Sequence, residues 1–158
     1  AANAMRKLVK NATTGICMAT MLHTIATGNM TPSFRVTEDG TVRPVYLYTI
    51  DIDEFAYENA LENIALNGTP DIEVRLGGAE AIKESDSFDF VIANINRNIL
   101  LMDMCNYVHC MHSGSQLFIS GFYTEDMDVL KEEASRHGLN YNGYAEDNRW
   151  AMMRFVKE

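Results

Sequence analysis

The spacing of apolar residues along the chain switches repeatedly between unbroken β-type runs and the three-to-four spacing of amphipathic helices. The clearest switch spans residues 45–68. Val45 to Ile50 is a β-branched and aromatic run that predicts a buried strand. It stops at Asp51-Ile52-Asp53. Phe55, Ala56, Ala60, Ile64 and Ala65 then share one face of a predicted helix, with Glu54, Glu58 and Glu62 off it. Asn67-Gly68 ends that helix, because glycine adopts the left-handed conformation past a last turn without steric cost. A strand, an acid at its tip and a helix make half of a βαβ unit.

The same alternation continues downstream. Ile72 to Leu76 predicts a short strand closed by Gly77-Gly78, and Phe88 to Ile95 a strand covered on both faces of a parallel sheet. Ile99 to Met111 reads as a helix with Leu100, Met104, Val108 and Met111 on one stripe. Gln116 to Ser120 follows as a strand. Thr124 is the expected cap of a helix reaching about His137, with Met127, Leu130 and Ala134 inward. Tyr141 to Ala145 and Ala151 to Val156, joined by Glu146 to Trp150, predict an antiparallel pair. The fold class is therefore α/β: a doubly wound, mostly parallel sheet with an antiparallel C-terminal edge pair.

Residues 1–44 fit this scheme poorly and are assigned to an irregular N-terminal segment, with residues 45–158 as the α/β domain. Asn3-Ala4-Met5 looks like a tag remnant before a start methionine. Ile16 to Ile25 reads as helical. Phe34 to Thr37 and Thr41 to Tyr48 predict a hairpin around Glu38-Asp39-Gly40, in which Pro44 marks an edge or a bulge.

Composition narrows the function. The 158 residues suffice for one domain with a substantial core. A formal net charge of -9 argues against a general nucleic-acid binder and is compatible with a basic protein substrate or a small molecule. Cys17, Cys105 and Cys110 show no metal-ligand spacing, so reduced, buried thiols in a cytoplasmic protein are expected and no metal. No apolar run reaches the length of a membrane span.

Candidate chemistry concentrates at two predicted strand tips. Asp51 lies where nucleotide-binding α/β folds place an acid that accepts both ribose hydroxyls; alternatively it caps the following helix. Asn94, near the end of the most buried strand, offers a donor and an acceptor to a substrate amine or cofactor carboxylate, or else satisfies its own turn. No nucleophile elbow, phosphate loop or histidine-centred constellation is present. Trp150 beside Arg149 is read either as a rim anchor or as a cover for the sheet edge.

The runs IDIDEFAYENALENIALNG, FDFVIANINRNILLMDM, GSQLFISGFYTEDM and NRWAMMRFVK resemble the catalytic domain of the bacterial ribosomal protein L11 methyltransferase family, in matching order from Thr49 onward. The resemblance implies a Rossmann-like methyltransferase sheet that binds S-adenosylmethionine and methylates amino groups of ribosomal protein L11. It places the ribose acid at Asp51 and the methyl-transfer asparagine at Asn94, with Asn96 and Arg97 at the substrate mouth. The stretch Ala12 to Thr20 keeps a Thr-Gly and a final threonine of a family segment that closes the cofactor site, which assigns a cofactor contact to Thr20. The family's Asp-x-Gly-x-Gly-x-Gly loop has no counterpart between Met21 and Ile50, and Gly78 stands where the family carries an acid near the adenine. From these departures the sequence predicts a missing central strand, an incomplete cofactor cleft and weak cofactor binding. A methyltransferase-like module without cofactor, acting in binding or structure, is the alternative.

Overall fold

The computed structural model describes residues 12–19 and 34–158. Nine strands are β1 Thr14–Ala19, β2 Phe34–Val36, β3 Val42–Pro44, β4 Tyr46–Asp51, β5 Ile72–Leu76, β6 Phe88–Asn94, β7 Met111–Tyr123, β8 Leu139–Asp147 and β9 Trp150–Lys157, among the described residues. The helices are α1 Glu54–Asn67, α2 Arg97–His109 and α3 Met127–Arg136. Seven strands form one sheet in the order β5-β4-β1-β6-β7-β9-β8. The five on the β5 side run parallel, and β9 enters antiparallel between β7 and β8. A separate two-stranded hairpin, β2-β3, turns at Gly40 with φ of 81° and ends at Pro44.

The centre of this sheet corrects the reading of the N-terminal quarter. Residues 14–19 are not the start of a helix. They form the central strand, paired with β4 through Thr14 to Met18 and with β6 through Gly15 to Ala19. A boundary at residue 44 therefore does not separate this segment from the sheet, and the expected gap in the middle of the sheet is filled. The physical reason lies in how β1 alternates. Ile16 and Met18 join the larger core cluster, and Cys17 joins the smaller one on the opposite face. A run buried on both faces has no helical or strand periodicity of its own, so pattern alone does not distinguish the two.

The neighbouring strands obey the same rule. Val91 and Ala93 of β6, and Leu117 and Ile119 of β7, face the larger cluster with Leu100 and Met104 of α2 and Leu130 and Ala134 of α3. Phe90, Ile92 and Phe118 face the smaller cluster with Leu47. Phe90, Val91 and Ile92 are buried in a central parallel strand, as their apolar run predicts. On α1 the expected face is only partly used: Ala56 is buried and Ile64 half-buried, but Phe55 and Ala65 point to solvent.

Two devices hold β1 in place. At its start, the Asp89 carboxylate accepts the backbone N–H groups of Thr13 and Thr14 and the hydroxyl of Thr13, and pairs with His112 at 3.1 Å. Burial acts to raise the Asp89 pKa, but these donors outweigh it and hold the carboxyl below its usual range. Further along, Gly15 lies directly under the Phe90 ring; a Cβ on residue 15 would stand 2.1 Å from Phe90 Cζ. Glycine is the one residue that lets the ring pack flat on the strand.

The C-terminal hairpin is tighter than expected. Only Asn148 and Arg149 connect β8 and β9, both with positive φ (50° and 71°). That is the conformation of a two-residue type I′ turn, whose twist matches its strands. Thr124 does not cap α3. It opens a 3-10 turn, Thr124–Asp126, that leads into α3 at Met127.

Gly15→Ala should cost about 2–3 kcal/mol of stability through overpacking against Phe90, measured by urea unfolding. Combining it with Phe90→Leu should recover part of that loss, as a double-mutant cycle would report.

Candidate functional site

The strand order places a crevice at the carboxyl edge of the sheet. The chain runs from β1 outward to β4 and β5, then crosses back to β6 on the other side of β1. In open α/β sheets ligands bind at the carboxyl edge where the winding reverses in this way. Asp51 closes β4 and Asn94 closes β6, with β1 between them. The two candidate residues with described positions thus share one edge. Thr20 lies outside the described residues.

Asp51 is 5% exposed although it is a carboxylate. Its Oδ1 accepts the backbone N–H of Asp53 at 3.0 Å. Its Oδ2 is buried and has no hydrogen-bond partner among the described residues. Burial, offset in part by the hydrogen bond from Asp53 and reinforced by the Asp53 charge, pushes the Asp51 pKa up. The capping alternative is resolved by the next acid. Asp53 Oδ1 accepts the N–H groups of Phe55 and Ala56, at 2.8 and 3.1 Å, and is the N-cap of α1. Asp51 is therefore not consumed by the helix. One buried oxygen remains unmatched at the mouth of the crevice, the condition a ligand hydroxyl would relieve.

Thr49, two residues earlier and on the same side of β4, repeats the feature: its hydroxyl oxygen is buried and unpartnered. Nothing in the alternation of the strand distinguishes it from an ordinary β-branched core residue, so the sequence could not single it out.

Asn94 is half-buried and pairs in register with Ala19 of β1 and Ser120 of β7. Its side chain lies against Gly121, where φ is +93°. A Cβ on residue 121 would sit 2.8 Å from the carbonyl oxygen of Ile95 and 2.9 Å from Asn94 Oδ1. The register of β7 against β9 shifts at this glycine, between Ser120 and Phe122. Glycine 121 is a site residue that the sequence reading did not single out. Its signal was an isolated glycine inside an apolar strand, which marks a bulge or a close approach.

Asn96 and Arg97 are differently employed than expected at a substrate mouth. Asn96 Oδ1 accepts the N–H groups of Asn98 and Ile99 and caps α2. Arg97 Nη1 donates to Asp126 at 2.9 Å, which ties α2 to the turn after β7.

Beyond Ser120 the carboxyl end of β7 carries Tyr123, opposite Trp150 of β9. Their rings meet at 4.4 Å between centroids, and both are about half exposed. The Arg149 guanidinium lies 5.7 Å from the Tyr123 ring and is paired with Glu125 at 2.6 Å. This ledge stands on the same edge as Asn94, so of the two readings of Trp150 the rim position fits. Cys17 and Cys110 are buried, and burial pushes the Cys110 pKa up to about 12, whereas Cys105 on α2 is exposed, contrary to the expectation of buried thiols. Among the described residues there is no group of side chains suited to a metal ion, and no helix is long and apolar enough to cross a membrane.

Comparison with known proteins agrees with this fold. A Bacteroides fragilis protein named ribosomal protein L11 methyltransferase is 55% identical over 107 residues, covering 68% of this chain and 38% of that protein. The chain thus spans well under half the length of that relative. Its fold is similar to the crystal structure of a ribosomal protein L11 methylase from Lactobacillus delbrueckii subsp. bulgaricus. The TM-score is 0.78 at 20% identity, over 99% of this chain and 77% of that one. It is also similar to the N-methyltransferase NodS from Bradyrhizobium japonicum WM9 in complex with S-adenosyl-l-homocysteine. There the TM-score is 0.69 at 11% identity, covering 99% and 85%. Residues 42–158 match the family described as Ribosomal protein L11 methyltransferase (PrmA), and these residues carry both Asp51 and Asn94 on their shared edge: the chain belongs to that family.

Proposed function

We propose that this chain is the catalytic part of an S-adenosylmethionine-dependent N-methyltransferase acting on ribosomal protein L11 in the cytoplasm. The observation that carries the reading is Asp51: a desolvated carboxylate at the carboxyl edge of the sheet, with one oxygen unpartnered. Family membership supplies the substrate class. The central strand β1 supplies the sheet position that the sequence reading left empty, which supports a cofactor-binding sheet over a module without cofactor.

When bound, S-adenosylmethionine supplies an electrophilic methyl group on a sulfonium. The protein's share is positioning. Asp51 accepts the ribose hydroxyls, which gives Oδ2 the donor it lacks and orients the ligand along the edge. Asn94 Oδ1 accepts an N–H of the incoming amine, which points the nitrogen lone pair away from the protein and toward the transferring methyl. The Tyr123–Trp150 ledge covers the amine's aliphatic stem and excludes water. The acidic balance of the chain favours approach of a basic substrate segment. No general base is required among the site's side chains for attack by an amine that arrives neutral.

The direct test is incubation of the purified chain with labelled S-adenosylmethionine and ribosomal protein L11, read by mass spectrometry of the substrate. Methylated lysine or amino-terminal nitrogen is the expected result. Transfer to no protein amine, under conditions where S-adenosylhomocysteine binds by calorimetry, would overturn the substrate assignment.

Four outcomes follow for Asp51 and Gly121. Asp51→Ala should weaken S-adenosylhomocysteine binding by about 1.5–3 kcal/mol, the range for hydrogen bonds to a charged group. The pH dependence has a defined sign. Because its folded pKa is raised, Asp51 binds the ligand hydroxyls best when ionised, so affinity should fall as pH drops through that raised value. The same shift means that ionised Asp51 costs the free protein stability. That cost is absent in acid, sets in as pH rises past the ordinary carboxylate range, and is complete above the raised value. Asp51→Asn should therefore raise the Tm of the free protein at neutral pH and leave it unchanged near about pH 3. Finally, Gly121→Ala should displace the Asn94 side-chain amide resonance in an NMR spectrum and slow methyl transfer by about 10-fold or more, the scale of a misplaced reacting group.

A further inference from the structure

The bulge at Gly121 decides which face of the sheet the end of β7 presents. Ile119 and Phe122 both belong to the larger core cluster, although strict alternation would put residues at this odd spacing on opposite faces. The register slip between Ser120 and Phe122 absorbs the difference. Phe122 thereby stays in the core, and Tyr123 turns to the face of the smaller cluster, which Phe90, Ile92 and Phe118 line. Asp51 follows Leu47 at an even spacing, and Asn94 follows Ile92, so both point to that same face. Trp150 does too, by alternation from Met152, which packs against the smaller cluster.

A row of paired residues crosses the strand ends here: Tyr123 of β7 opposite Trp150 of β9, and Trp150 opposite Asp147 of β8. One cation already lies on this row. The Arg149 guanidinium stands 5.7 Å from the Tyr123 ring, within reach of a cation–π contact, and its Nη2 donates to Glu125 Oε1 at 2.6 Å. The turn brings it there, with φ of 71° at Arg149 and the Arg149 carbonyl accepting the Thr124 N–H at 3.0 Å. Yet the Arg149 and Glu125 side chains are 72% and 54% exposed, and an ion pair so open to water contributes little. Asp147, across Trp150 from Tyr123, is exposed and has no hydrogen bond or ion pair among the described residues. Two aromatic faces between two carboxylates make a seat for a positive charge, filled by an arginine that is cheap to exchange.

We infer that the Tyr123–Trp150 ledge is a cation subsite. It receives a lysine or arginine side chain of a peptide segment, which displaces the Arg149 guanidinium from the Tyr123 ring and from Glu125. The identity of that segment rests on the proposed protein substrate: the bound side chain flanks the amine to be methylated and lies beside its stem. Arg149 keeps the place until another cation takes it, and a neutral side chain has nothing to offer Glu125 in exchange. The subsite therefore selects for charge next to the target amine.

Trp150 is the single tryptophan of the chain, so its fluorescence reports on this place alone. The intact chain is titrated with a trilysine peptide blocked at both ends, and with the same peptide acetylated on every Nε. The charged peptide should bind about 10-fold tighter or more, and Tyr123→Ala should weaken it by about 3-fold or more. Arg149→Gln should tighten it by about 3-fold, because the resident cation is gone. Arg136→Gln makes the same change in net charge on α3, where Arg136 pairs with Glu132 and Glu133, and should leave the affinity unchanged. Arg149, Glu125 and Arg136 are exposed, so thermal melts of their variants should match wild type. In methyl transfer to ribosomal protein L11, Glu125→Gln should raise KM and leave kcat unchanged. No fluorescence response to the charged peptide, an equal response to the acetylated one, or equal effects of Arg149→Gln and Arg136→Gln would overturn the subsite. Absence of methyl transfer to L11 alongside the expected titrations would overturn the proposed substrate and leave the cation subsite standing.

Discussion

The contact between Phe90 and the backbone of Gly15 is the constraint on which the arrangement depends. Parallel strands carry side chains on both faces, so a central strand must be narrow wherever a neighbour's large ring crosses it. Residue 15 has no side chain, and the Phe90 ring fills that place in the smaller core cluster. This lets β1 sit between β4 and β6 in register from Gly15 onward. Asp89, one residue before Phe90, ties down the same end of β1 through the backbone of Thr13 and Thr14. Adjacent residues of β6 therefore set both the depth and the starting point of the central strand. The position of the carboxyl edge, with Asp51 on one side of β1 and Asn94 on the other, follows from that placement.

The site itself is held open at an energetic cost. A buried carboxylate with an unpartnered oxygen, and a glycine at φ +93° beside the asparagine, are both unfavourable in isolation. Neither is a packing solution. A sequence selected for stability alone would place an asparagine or an apolar residue at 51 and would have no bulge at 121. Their presence on one edge, in a sheet otherwise packed with buried apolar side chains, distinguishes that edge from the opposite one. At that other edge Asp89 is fully engaged by donors.

Much of this was legible in the sequence. The strand–acid–helix succession at 45–68 located Asp51, and the continuous run at 88–95 located Asn94, because both depend on local pattern. The antiparallel pair at the C-terminus was visible for the same reason, although its turn was shorter than the polar run between the strands indicated. What was not legible depended on partners distant in the chain. Ile16 and Cys17 read as helical because nothing local says that both faces of the segment are covered by other strands. Gly15 was not singled out because its reason is a ring 75 positions away, at Phe90. Phe55 and Ala65 were assigned inward on periodicity, yet α1 uses a narrower stripe than its apolar residues offer.

The place of β9 in the sheet has a consequence for how the protein is made. Strand β8 touches the sheet only through β9, which follows it in the chain and inserts between it and β7. In folding, β8 thus has no edge to join until β9 is in place, and β7 stays open on its outer side until Trp150–Lys157 docks. Lys157 then donates to the carbonyls of Val108 and Met111 and stitches the last turn of α2 to the start of β7. The Tyr123–Trp150 ledge cannot assemble earlier, because its second ring arrives with β9. That end of the carboxyl edge is therefore completed in one step, by the docking of β9.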